Sequence, residues 1–111
     1  MNIKKAYKKY IKKTFSYISY LDDDGNGVEL DIKNKTIVFH ENNESEDKVK
    51  LQFARSLKSY DFFDIAKTIL KLAVRRQYRD QLYFYICGKS NAWKLLDRLR
   101  DRDIQEFNEE N

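Results

Sequence analysis

Residues 3–21 read IKKAYKKYIKKTFSYISYL, and the conformation of this stretch decides what every later segment can pack against. At 100° per residue, Ile3, Tyr7, Tyr10, Ile11, Thr14, Ile18 and Leu21 fall within about 100° of arc, the width of a core-facing helical stripe. Lys4, Lys5, Lys8, Lys9, Lys12 and Lys13 fall on the opposite side. The spacing predicts one amphipathic helix over 3–21, with Phe15 and Tyr20 lying among the lysines. Asp22-Asp23-Asp24-Gly25-Asn26-Gly27 follows, and its Gly and Asn residues are natural stop and turn signals.

Beyond that turn, Val28, Leu30 and Ile32 alternate with Glu29 and Asp31, the period of a half-buried strand. A two-residue turn at Asn34-Lys35 would pair Ile32 with Ile37 and Leu30 with Phe39, keeping all four on one face. Residues 42–47 are polar and read as a loop. Val49, Leu51 and Phe53 alternate with Lys48, Lys50 and Gln52 as a third strand. A helix capped by Ser59, with Asp61 in its first turn, spreads Phe62 to Ala73 over about 200° of apolar circumference and should be the most buried element. Leu82 to Cys87 is an unbroken apolar run, as in a central strand, and Ser90 can cap a last helix bearing Trp93, Leu95, Leu96 and Leu99. The apolar pattern fails near Arg102, so residues from about 103 to 111 should fray.

The expected fold is therefore α+β, a single domain over 1–111 in the order α-β-β-β-α-β-α, with a four-stranded mixed sheet and helices mainly on one face. At 111 residues, 41% hydrophobic and rich in aromatics, the chain carries enough apolar material for one modest core. No run approaches the length a membrane span needs, and no secretory signal follows the cationic N-terminus. The single cysteine, Cys87, cannot form an internal disulfide, which suits a reducing compartment; the expected location is cytoplasmic.

Charge is arranged in blocks. Residues 1–21 hold six Lys and no acid, residues 22–47 have a net charge of −7, residues 48–100 of +9 and residues 101–111 of −4. Such segregation implies either pairing between blocks or separate faces for different partners.

Motifs for chemistry are incomplete. Asp22, Asp24, Asn26 and Gly27 match the first half of an EF-hand calcium loop, but Lys33 occupies the position that needs a bidentate carboxylate. Gly88-Lys89-Ser90 lies between a strand and a helix, yet the earlier glycine of a phosphate-binding loop is replaced by Tyr83. His40 is the only histidine, too few for a His-rich metal site or an evident triad. The element order resembles that of double-stranded-RNA-binding domains, but Ser59-Tyr60-Asp61-Phe62 stands where those domains carry lysines. It also resembles the core of PD-(D/E)xK nucleases, for which Glu41 and Glu46-Asp47-Lys48 are the nearest residues and sit outside the required strand positions. No catalytic residue, metal or cofactor is assigned.

The sequence points instead to a non-catalytic binding protein. Lys4/Lys8/Lys12 and Lys5/Lys9/Lys13 form like-charged rows at i,i+4, each costing a few tenths of a kcal/mol that an anionic partner would offset. Nucleic acid or a nucleic-acid-handling complex is the expected partner. Phe15 and Tyr20 would add aromatic contacts, and Lys48, Lys50, Tyr83 and Tyr85 would form a second basic and aromatic surface on an open sheet face. The alternative is an inhibitor or regulator of the kind phages and mobile elements encode, binding a host enzyme through Asp22, Asp23, Asp24, Glu44, Glu46 and Asp47 as a phosphate mimic. Metal-dependent nuclease chemistry is the outsider. A homodimer is compatible with an aromatic-rich helix, and no membrane partner is expected.

Overall fold

In a computed structural model, which describes residues 3–76 and 83–89, the 3–21 stretch divides in two. Helix α1 spans Ile3–Thr14 and passes without a linker into strand β1, Phe15–Leu21. Strands β2 (Gly27–Asp31) and β3 (Thr36–His40) form a hairpin, followed by helix α2 (Lys48–Ser56), a 3-10 turn at Leu57–Ser59, helix α3 (Phe62–Arg76) and strand β4 (Phe84–Gly88). The sheet order is β3-β2-β1-β4 and every pairing is antiparallel. The α+β class is as expected. The sheet is antiparallel rather than mixed, and the order differs because one expected strand is a helix and one expected helix ends in a strand. Leu82, the helix expected from Ser90 and the acidic tail lie outside the described residues.

The division at Thr14 has a local cause. Lysines and Ala stop at Lys13, and Phe15-Ser16-Tyr17-Ile18-Ser19-Tyr20 is aromatic and β-branched, favouring a pleated surface. A β-bulge between Phe15 and Tyr17 turns Ser16 and Tyr17 away from the core, so the buried residues Phe15 and Ile18 lie three apart. That spacing is also helical, which is why the stripe continues past the true end of the helix. Phe15 and Tyr20 consequently sit in the core, 3% and 5% exposed, and not among the lysines.

Strand β1 is central. Ile18, fully buried, is opposite Leu30 on one side and Ile86 on the other, while Tyr20 is opposite Val28 and Phe84. This inner face packs with Ile11 of α1 and Ile65, Ala66, Ile69, Leu70 and Ala73 of α3, whose burial matches the wide apolar arc read from sequence. Strand β4 lies at a sheet edge, not the centre. Gly88 closes it against α1: a Cβ there would collide with the Thr14 carbonyl oxygen, and Lys89 N–H donates to that same oxygen at 3.0 Å.

The hairpin register differs by two residues from expectation, with Leu30 opposite Ile37 and Val28 opposite Phe39. The shift preserves the apolar face and makes Ile32–Lys35 a four-residue loop. Asp31 closes it by accepting from the Asn34 N–H and side-chain amide, and Lys35 takes a left-handed conformation, φ 54°.

Residues 48–56 are helical because Asp47 caps them, its carboxylate accepting from the Val49 and Lys50 N–H groups. Leu51, Ala54 and Leu57 are buried at a spacing of three, whereas Val49, which the strand expectation buried, is 79% exposed. In α3 the cap is Asp61, accepting from Asp64 N–H, rather than Ser59. Replacing Asp47→Ala should cost about 1 kcal/mol in urea unfolding, the usual penalty for a lost N-cap; a strand at this position would show no such loss.

Candidate functional site

Because strand pairing fixes the chain direction, the charge blocks of the sequence become two ends of the sheet. Phe15, Asp31, Thr36 and Gly88 mark one end, and Leu21, Gly27 and His40 the other. The last turn of α1, the Ile32–Lys35 loop and Lys89 gather at the first end, tied by hydrogen bonds from Ile32 N–H to Ser16 O and from Lys89 N–H to Thr14 O. The Asp22–Asn26 turn and residues 41–47 gather at the second.

At the acidic end, most carboxylates are already engaged. Asp22 is buried, and one of its oxygens accepts from the N–H groups of Asp24 and Asn26, closing the turn; the other is buried without a partner. Asn26, fully buried, spends its amide on Ser45 Oγ and Asn42 N–H, tying the turn to the next loop. The half calcium motif is therefore a structural turn, with its Asn turned to protein rather than to an ion. Among the described residues no three His, Cys, Asp or Glu side chains are grouped to hold a metal.

Helix α2 and the 3-10 turn that follows it supply cations to this end. Lys50 Nζ is 2.7 Å from Asp23, holding that carboxyl below its usual range and raising the Lys50 ammonium in return. Glu41 is held between Lys58 at 2.5 Å and Arg55 at 3.5 Å, and its carboxyl is lowered chiefly by Lys58. Asp47 is spent on the helix cap. Glu44 and Glu46 are exposed, with no cationic partner among the described residues.

At the basic end the situation reverses. Lys8, Lys9, Lys12 and Lys13 are all exposed, and among the described residues none has a carboxylate partner. Lys4 and Lys5 share the helix; their side chains lie outside the described set. Lys8 and Lys12 lie over the ring of Phe63 of α3, at 5.0 and 5.6 Å from its centroid, and Lys35 of the hairpin loop reaches the same ring at 6.0 Å. Nothing in the sequence places Lys35 there, since the contact depends on the register of the hairpin.

The second surface expected from sequence is not brought together. Lys48 and Lys50 are on α2, where Lys48 Nζ reaches Asn43 O at 3.4 Å and Lys50 lies 5.9 Å over Tyr83. Tyr83 turns inward onto Tyr20, whereas Tyr85 is 63% exposed on the outer face. That outer face carries Tyr17, Ser19, Glu29, Val38, His40, Tyr85 and Cys87 and, among the described strand residues, no lysine. Tyr17 and Tyr85 meet edge to face at 5.8 Å. Glu29 accepts from the Tyr17 hydroxyl at 2.5 Å and lies 2.5 Å from His40 Nε2. These contacts hold the Glu29 carboxyl below its ordinary value, Tyr17 first and His40 second, while the hydrogen bond to Glu29 raises the Tyr17 phenol. An anchored carboxylate at the centre makes this face a poor phosphate surface.

Compared with protein-family models, curated proteins and solved structures, the chain matches none. Among the described residues no helix is long and apolar enough to cross a membrane.

The outer-face network has a pH signature. Glu29, lowered by folding, contributes stability that is fully present above its unfolded value and is lost as pH falls through its folded value. Tyr17, raised by folding, contributes below its unfolded value and loses that contribution as pH rises through its folded one. Carboxyl titration by NMR should place the Glu29 midpoint below the ordinary 4.5 in the native protein and move it upward in Tyr17→Phe. An unmoved midpoint would mean the hydroxyl does not hold the carboxylate.

Proposed function

We propose that this protein acts by binding rather than turnover, and that it engages nucleic acid through the lysine face of α1. The observation that supports this reading is the unequal fate of the two charge blocks. At the acidic end Asp23 and Glu41 are paired with Lys50, Arg55 and Lys58 and Asp22 and Asp47 are spent on backbone N–H groups, while Lys8, Lys9, Lys12 and Lys13 stay exposed and, among the described residues, have no carboxylate. Rows of like charge on a helix carry a cost that counterion release on a polyanion would recover.

Phe15 and Tyr20, buried in the core, leave the α1 surface to act by charge rather than by stacking. Contact with the phosphate backbone, indifferent to base sequence, is what such a surface can make. The acidic-mimic alternative draws on fewer groups than the sequence offered, since Asp22 and Asp47 are spent on local structure and Asp23 on Lys50.

Titration against a labelled 20-base-pair duplex at 50 and 200 mM salt tests the reading. Four phosphate contacts would lower affinity by about a hundredfold across that range. The double change Lys9→Gln/Lys13→Gln should weaken binding and flatten the dependence by about two contacts. No binding at 50 mM, or binding indifferent to salt, would refute it.

A further inference from the structure

The convergence of Lys8, Lys12 and Lys35 on one aromatic ring calls for its own explanation. These side chains come from α1 and from a hairpin loop more than twenty positions further along the chain. Their ammonium groups lie 5.0, 5.6 and 6.0 Å from the Phe63 centroid, which confines all three within about 12 Å of one another by the sum of the two longest distances. Among the described residues none is paired with a carboxylate. Phe63 is 9% exposed and packs edge to face on Phe62 at 5.2 Å, so the ring is a fixed floor and cannot stack on a base. Cation–π attraction favours an ammonium over the ring, but one largely buried phenyl is shared by three mutually repelling charges. An anion seated among the ammonium groups would relieve that repulsion.

Lys35 carries a second, independent mark. It occupies the left-handed region at φ 54°, where glycine is at ease and a lysine is strained. The hairpin would close at least as well with Gly at this position, so local geometry does not account for the side chain. Strained non-glycine residues of this kind cluster at ligand clamps and other functional sites.

We propose that Lys8, Lys12 and Lys35 over Phe63 form a phosphate-binding subsite, the anchor at which a backbone phosphate of nucleic acid is held, with the hairpin loop as part of the interface. The proposal rests on the α1 reading above and adds to it a binding residue outside the helix. It also fixes the class of contact. The subsite takes a phosphate by charge from three directions, while Lys9 and Lys13 engage flanking phosphates along the same backbone.

The test is Lys35→Gly, with Lys33→Gly as the control in the same exposed loop. Lys35→Gly removes the ammonium and relieves the left-handed strain, so its melting temperature should equal or exceed that of the native protein. Its affinity for the 20-base-pair duplex at 50 mM salt should nevertheless fall several-fold, and the log–log salt dependence should become shallower by about 0.9, the loss of one phosphate contact. Lys33, whose neighbour is Asp31, should be replaceable with a smaller loss and no comparable change in slope. If the native protein binds with a steep salt dependence but Lys35→Gly retains its affinity and slope, the subsite is refuted and the α1 reading stands. Equal losses from Lys33→Gly and Lys35→Gly would reduce the effect to net charge and likewise overturn the subsite. If the native protein does not bind duplex at all, the α1 reading fails and the subsite with it.

Discussion

Strand β1 must satisfy hydrogen-bonding neighbours on both edges while leaving α1 directly, with no linker residue between Thr14 and Phe15. Two local devices meet that constraint. The bulge at Phe15–Tyr17 lets Phe15 turn into the core at the point where helix becomes strand. Gly88 lets β4 approach the junction closely enough for its chain to bond the Thr14 carbonyl. With β1 fixed this way, α1 is held at one end of the sheet, and the turn after Leu21 is forced to the other.

The distribution of charge follows from that placement. A chain whose first block is basic and second block acidic could have folded them against each other and cancelled them. The strand between them separates them by its own length instead. Helix α2 and the 3-10 turn after it then supply cations to the acidic end, Lys50 to Asp23 of the turn and Arg55 and Lys58 to Glu41. Among the described residues the exposed lysines of α1 have no carboxylate partner, and the hairpin loop brings Lys35 to the same place. On the outer face, the Tyr17–Glu29–His40 network fixes a negative charge, which sets that face apart from the lysine-bearing end of the sheet.

The parts legible in the sequence are those governed by a single unbroken period. The amphipathic N-terminal helix, the hairpin face and the deep burial of α3 all follow from such runs, as does the α+β class. The misread elements are those in which one pattern imitates another. The bulge gives β1 an i, i+3 burial that looks helical, and the alternation of Val49, Leu51 and Phe53 looks like a strand although Asp47 caps a helix there. The cap was a local signal that could have corrected the second; the end of the lysine run at Lys13 could have corrected the first. The subsite at Phe63 had no comparable signal. It depends on a two-residue register choice in the hairpin and on where α3 meets α1, both of which are set by packing.

The claim on which the account turns is that residues 15–21 are a central strand. Residue-resolved carbon chemical shifts, together with proton contacts from the Ile18 side chain, test it directly. The account predicts strand shifts from Phe15 to Leu21 and contacts from Ile18 to both Leu30 and Ile86. Helical shifts running unbroken from α1 through Leu21, without those contacts, would return Phe15 and Tyr20 to the lysine face and contradict both the sheet and the charge separation built on it.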